Sequence, residues 1–139
     1  MGNRIHEIKV RVRYAETDQM GIVYHGNYAQ YLEMGRVEWL RNAGISYRWM
    51  EENGIRLPVV SMSLNFKSPA TYDDVLIVKT VLKHKPAVKI EFDYEIYKEE
   101  GNGLLLTAHT VLVFINAASG KPMMCPDFLL EKLNESFLF

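Results

Sequence analysis

Between residues 5 and 14 apolar and charged positions alternate, with Ile8, Val10, Val12 and Tyr14 on one side and Lys9, Arg11 and Arg13 on the other. A period of two predicts a half-buried first strand. Beyond Gly26 the period lengthens: Tyr28, Tyr31, Leu32, Gly35 and Trp39 recur at helical spacing, and no proline interrupts the run before Gly44. This predicts one long amphipathic helix with its stop at Gly44. Gly35 lies inside the apolar stripe, where glycine costs up to about 1 kcal/mol relative to alanine, so a close approach of helix to sheet is expected there. A second, short helix is expected over residues 46–53, ending at Gly54.

After Gly54 the helical period disappears and strands follow, over residues 59–69, 75–83, 88–98 and 104–116. The third is the clearest, because Val88, Ile90, Phe92, Tyr94 and Ile96 alternate with Lys89, Glu91, Asp93, Glu95 and Tyr97, leaving one face wet. Turn residues separate the strands at 71–74, 84–86 and 99–103, the last containing Gly-Asn-Gly, and such short spacing predicts antiparallel hairpins. Residues 117–126, with Gly120, Pro122 and Pro126, read as a loop before a short helix carrying Phe128, Leu129, Leu130 and Leu133. The whole pattern predicts a single α+β domain over residues 1–139: one long helix on the concave face of a five-stranded antiparallel sheet.

Composition narrows the function. The chain has 139 residues and is 48% apolar, enough for one core. Sixteen basic and seventeen acidic residues leave a formal charge of -1, which offers no general attraction for nucleic acid or an anionic membrane. Charges scattered through the first fourteen residues are unlike a signal peptide, and no window reaches eighteen uninterrupted apolar residues, so a soluble, cytoplasmic protein without an integral membrane segment is expected. One cysteine, Cys125, excludes an intrachain disulfide and a cysteine zinc site and is expected to be buried as a small apolar residue.

The candidate chemistry lies between the first strand and the long helix, in the run RYAETDQMGIVYHGNY. Asp18, Gly21, His25 and Asn27 fall there, so an acid and a helix N-terminus can face a common point. Asp18 reads either as a reactive carboxylate or as a turn residue bonding nearby N–H groups. His25 can serve as an acid, hold a water or orient a carbonyl, or it can simply bond beside the helix terminus. Tyr14, four residues before Asp18, either hydrogen-bonds that carboxylate or lines the pocket, or else belongs to the core. Gly26 leaves room for a ligand, and Asn27 fits a helix cap that also orients the loop, so Tyr14, Tyr24, Gly26 and Asn27 are the expected substrate-binding residues. Glu33 is expected to be a solvated partner of Arg36 at i,i+3. Tyr24, Tyr28, Tyr31, Trp39 and Trp49 read mainly as core aromatics that can shape a pocket. Lys83, His84, Lys85 and Lys89 form the densest positive patch, with Lys67 as a second candidate for binding phosphate.

The turn Thr17-Asp18-x-x-Gly21, followed by Val23-Tyr24-His25-Gly26-Asn27-Tyr28 and Glu38-Trp39-Leu40-Arg41, resembles the acyl-CoA thioesterase family of the hotdog fold. The likeness is greatest to the branch that includes 4-hydroxybenzoyl-CoA thioesterase and the YbgC-type short-chain enzymes. Ser68-Pro69-Ala70 with Tyr72-Asp73-Asp74, the strand order and the helix after Pro126 extend it over nearly the full chain. The resemblance implies a five-stranded sheet wrapped around the helix, protomers paired into homodimers or homotetramers, and active sites between protomers. It also implies an acyl-CoA substrate, Asp18 as the essential carboxylate and the backbone N–H of His25 as the leading oxyanion donor, without metal or cofactor. Asp18 would attack the carbonyl itself or activate water. Two rivals stand beside this reading: a hotdog hydratase or dehydratase using His25 with a carboxylate on an enoyl or hydroxyacyl thioester, and a module that binds an acyl thioester without turning it over.

Overall fold

The computed structural model describes residues 5–136; residues 1–4, where the N-terminal segment begins, and residues 137–139 lie outside that range. Strand β1 (Ile5–Arg11) leads into a 3-10 turn at Tyr14–Glu16, and a second such turn, His25–Asn27, opens helix α1 (Tyr28–Asn42). Then come α2 (Tyr47–Glu52), β2 (Ile55–Arg56), β3 (Val59–Phe66), β4 (Val75–Leu82), β5 (Lys89–Lys98), β6 (Leu104–Val113), β7 (Ile115–Asn116) and α3 (Asp127–Ser136). The five longer strands form one antiparallel sheet in the order β1-β4-β5-β6-β3, and β2 pairs separately with β7.

Two of the expected hairpins are present, β4–β5 and β5–β6. The third is not. β3 crosses to the far edge and pairs with β6, while β4 takes β1 as its other neighbour. The reason lies in the connection between β3 and β4. Lys67 and Ser68 both donate to Leu105 O, and Pro69 has no N–H to continue a ladder. The chain then leaves the sheet and runs past the Asp18 loop: Ala70 O accepts from Val23 N–H, and Thr71 bridges Ile22. β1 also stops earlier than its alternation suggests. Its partner strand begins opposite Arg11, and after one further bond from Val12 N–H to Asp74 O the next N–H, that of Arg13, turns to the Glu16 carboxylate.

The inward side of the sheet carries Leu76, Val78, Thr80 and Leu82 from β4, Ile90, Phe92, Tyr94 and Ile96 from β5, and Leu106, Ala108, Thr110 and Leu112 from β6, all buried. Helix α1 covers part of this face with Tyr28, Tyr31, Leu32, Gly35, Trp39 and Leu40. The close approach expected at Gly35 is there. A Cβ on that residue would lie 2.5 Å from Thr80 Oγ1 and 3.0 Å from Val78 Cγ1. Gly44, at φ +85°, ends the helix: its N–H donates to Arg41 O and that of Ile45 to Leu40 O, the paired closure that a left-handed glycine permits. Ser46 caps α2 by accepting from Trp49 N–H at 3.1 Å. Arg36 does not pair with Glu33; it is buried and donates to the Tyr94 hydroxyl at 3.3 Å, while Glu33 is exposed. Cys125 is buried as expected, and burial with Asp127 nearby pushes its thiol up to about 12.

Candidate active site

Asp18 sits on a tight hairpin beyond the end of β1. Its N–H donates to Ile22 O and its carbonyl accepts from Gly21 N–H, both at 2.9 Å, and Thr17 bridges Val23 across the hairpin. Gly21 has φ +80°, a conformation that costs other residues roughly 1–2 kcal/mol. The Asp18 carboxylate accepts from Met20 N–H at 2.8 Å through Oδ1, so it is a turn residue as well. Its second oxygen has no hydrogen-bond partner among the described residues. One oxygen fixed and one open is an arrangement that orients a carboxylate without consuming it.

Asp18 and His25 line the same cavity, about 330 Å³ in volume. Its other walls are Met20, Ile22, Val23 and Tyr28 from the loop and helix start, with Phe66, Lys67, Ser68 and Pro69 from the end of β3. The walls are mostly apolar, with one carboxylate, one imidazole and one ammonium among them. Tyr28 is buried with its ring 5.5 Å from that of Phe66, and burial raises its phenol above the ordinary range despite a bond from the Ala70 backbone. A larger groove, about 760 Å³, runs between α1 and β1, but both of its cations are already paired, Arg41 with Glu38 and Lys9 with Glu99, and the charge left over is the Glu33 carboxylate.

The turn that opens α1 has uncommitted donors. Tyr24 N–H donates to Glu16 O and Asn27 N–H to Tyr24 O, each at 2.9 Å, whereas the N–H groups of His25 and Gly26 have no partner among the described residues. Unpaired amides at the head of a helix favour negative charge. Tyr14, Tyr24, Gly26 and Asn27 do not line the cavity within one protomer. Tyr14 is neither core nor pocket: it is 77% exposed, with its ring edge-on to Tyr72. Tyr24 is exposed and packs on the His25 ring at 4.4 Å. Asn27 stands at the cap position of α1 but makes no side-chain cap; its Nδ2 reaches back to Glu16 O at 2.8 Å. Of the helix aromatics, Tyr28 alone faces the cavity, while Tyr31 and Trp39 are core and Trp49 packs on Phe128.

Two further residues stand out only in the structure. Phe66 closes β3, where alternation marks it as no more than part of a strand. Glu16 is 6% exposed, and its carboxylate accepts from Arg13 N–H and the Tyr31 hydroxyl, both at 2.8 Å, and from the Arg13 guanidinium at 3.2 Å. Burial pushes this carboxyl up, but the hydrogen bonds together hold it below the ordinary glutamate value. An acid three residues after Arg13 is the one sequence signal for this arrangement.

Residues 12–133 match the family model described as the thioesterase-like superfamily. The chain belongs to that superfamily. A thioesterase-like chain with this sheet order and central helix has the hotdog fold, as the sequence implied. YneP of Bacillus subtilis, a candidate acyl-CoA thioesterase, is 36% identical over 115 residues, which is 83% of each chain. The acyl-CoA thioester hydrolase YbgC of Escherichia coli is 27% identical over 135 residues, 97% of this chain and all of that one. Among solved structures, the DHNA-CoA thioesterase of Staphylococcus aureus superposes with a TM-score of 0.85 at 33% identity, covering 94% of this thioesterase-like chain and 93% of its own. The chemistry named for these relatives is the chemistry expected from the sequence.

Proposed function

We propose that this protein hydrolyses an acyl-CoA, with a short-chain, medium-chain or aromatic acyl group, to the free acid and CoA, and that Asp18 supplies the essential carboxylate. The observation that carries this reading is the shared cavity: an oriented carboxylate, an imidazole and the turn that opens α1 meet at apolar walls of acyl-group size. With the thioester carbonyl carbon at the open Asp18 oxygen, that oxygen adds to it or takes a proton from the water that does. Negative charge then builds on the carbonyl oxygen, where the N–H of His25, the cavity-lining member of the open pair, can receive it. The C–S bond breaks and CoA leaves as a thiolate that takes up a proton. In the direct route water then cleaves the anhydride and restores Asp18. Every group used comes from the chain or from water.

Lys67 lines the cavity, which supports a role for its ammonium in meeting a CoA phosphate. The patch of Lys83, Lys85 and Lys89 is less well placed in the same protomer. Leu105 on β6 bonds Lys67, and Val113 on β6 pairs with Lys89; eight residues of strand separate these points by about 26 Å. The proposed working form is a cytoplasmic homodimer or homotetramer. Its support is β3, an edge strand of eight residues without a charged side chain, which exposes Val59, Val60, Met62 and Phe66. Natural edges are usually guarded by charge, and β1 at the other edge carries Glu7, Lys9 and Arg11. Pairing of two β3 strands would put the cavity wall at Phe66 beside the seam.

Purified protein offered a panel of acyl-CoAs is expected to release free thiol and acid from at least one of them. Loss or gain of enoyl absorbance without thiol release would instead support the hydratase. Saturable binding with no product over hours would support the binding module.

A further inference from the structure

We infer that Glu16 is the positioning residue of this site, fixing the Asp18 hairpin against the start of α1. The inference rests on the proposed reading of Asp18. Two residues before Asp18, Glu16 uses both its side chain and its carbonyl. The carboxylate takes the Tyr31 hydroxyl from the first turn of α1 and the Arg13 N–H from the strand end. The carbonyl takes Tyr24 N–H and Asn27 Nδ2 from the turn that carries His25. One residue therefore ties together the three pieces of chain whose spacing sets the distance between the Asp18 carboxylate and the His25 and Gly26 amides.

The carbonyl bonds have a second consequence. They occupy the Tyr24 N–H and leave the next two amides as the open pair, so Glu16 also sets which donors remain at the head of the helix. A carboxylate suits the place better than a neutral side chain. It must accept from two donors on one oxygen while 94% buried, and hydrogen bonds to a charged acceptor are the stronger ones. Glu16 does not line the cavity, so it acts through Asp18 and the helix start and not on substrate.

The test measures kcat and KM for Glu16→Ala, Glu16→Gln, Tyr31→Phe and the double variant Glu16→Ala/Tyr31→Phe, on protein shown to be folded by circular dichroism, with Asp18→Asn alongside. Displacement of the carboxylate by about 1 Å costs on the order of a hundredfold in rate. Glu16→Ala is thus expected to lower kcat by about 10- to 100-fold with KM within about threefold of wild type. Tyr31→Phe should lower it less, and the double variant should be no worse than Glu16→Ala, because both remove one contact. Glu16→Gln should recover most of the loss, since its amide oxygen can still accept from Arg13 N–H and Tyr31, and the exposed Arg13 guanidinium can turn away.

Wild-type kcat in Glu16→Ala with Asp18→Asn inactive would overturn this inference alone. Equal loss in the Gln and Ala variants would also overturn it, because charge and not positioning would then be the requirement. Should Glu16→Ala not fold, wild-type kcat in Tyr31→Phe is the overturning result. Full turnover by Asp18→Asn would overturn the reading of the site and this inference with it.

Discussion

Gly35 shows how one residue sets the distance between helix and sheet. In a helix it loses up to about 1 kcal/mol against alanine, yet an added methyl would enter the space of Thr80 Oγ1 and Val78 Cγ1. Thr80 is buried and branched at Cβ, so its χ1 is restricted and the side chain gives way poorly. Overpacking of this kind costs typically 1–3 kcal/mol. Gly35→Ala is therefore expected to destabilise by up to about 2 kcal/mol net in urea unfolding, and Thr80→Ala in the same chain to recover part of that; raised stability would contradict the packing described. Gly35 was legible because it broke a helical pattern. Asp18 and His25 were legible because they stood between two opposite periodicities. Glu16 was not, since an acid in an acidic-looking loop gives no sign that folding buries it against Tyr31. Asn27 misled for a related reason: its residue type fits a cap, but a carbonyl eleven residues earlier competes for its side chain.

At the scale of elements, periodicity located all five long strands and the helices, and most errors fall where no period exists; the exception is β1, whose alternation runs on past Arg11 although its partner strand does not. β2 and β7 are two residues each, too short for alternation to show. Pairing order was also out of reach of local pattern. Nothing in residues 71–74 distinguishes a hairpin turn from the end of a crossing connection, and the crossing is fixed by bonds to the Asp18 loop that only the fold creates. That crossing leaves β3 as a charge-free edge. If two such edges pair, the protein should sediment as a dimer or tetramer, and a lysine at Val60 or Met62 should shift it toward monomer, as charge on an edge strand does. Wild type sedimenting as a monomer at micromolar concentration, or unchanged assembly in both variants, would contradict pairing through β3.

At the scale of the whole molecule, the sheet order, the crossing connection and the helix start converge on one end of the structure, where the cavity lies. The near-neutral charge supplies no broad field to draw in a polyanion, so under the proposed function recognition of a CoA thioester would fall to local groups such as Lys67. A carboxylate facing such a ligand would weaken simple binding, which favours a chemical role for it. The most direct test compares turnover and binding in Asp18→Asn, a change that keeps the shape of the side chain and its bond from Met20. The expected result is a folded protein that still binds an acyl-CoA turned over by wild type, while thiol release falls by about a thousandfold or more, the scale set by loss of a group that acts as nucleophile or base. Turnover within a few-fold of wild type would contradict the central role given to this carboxylate.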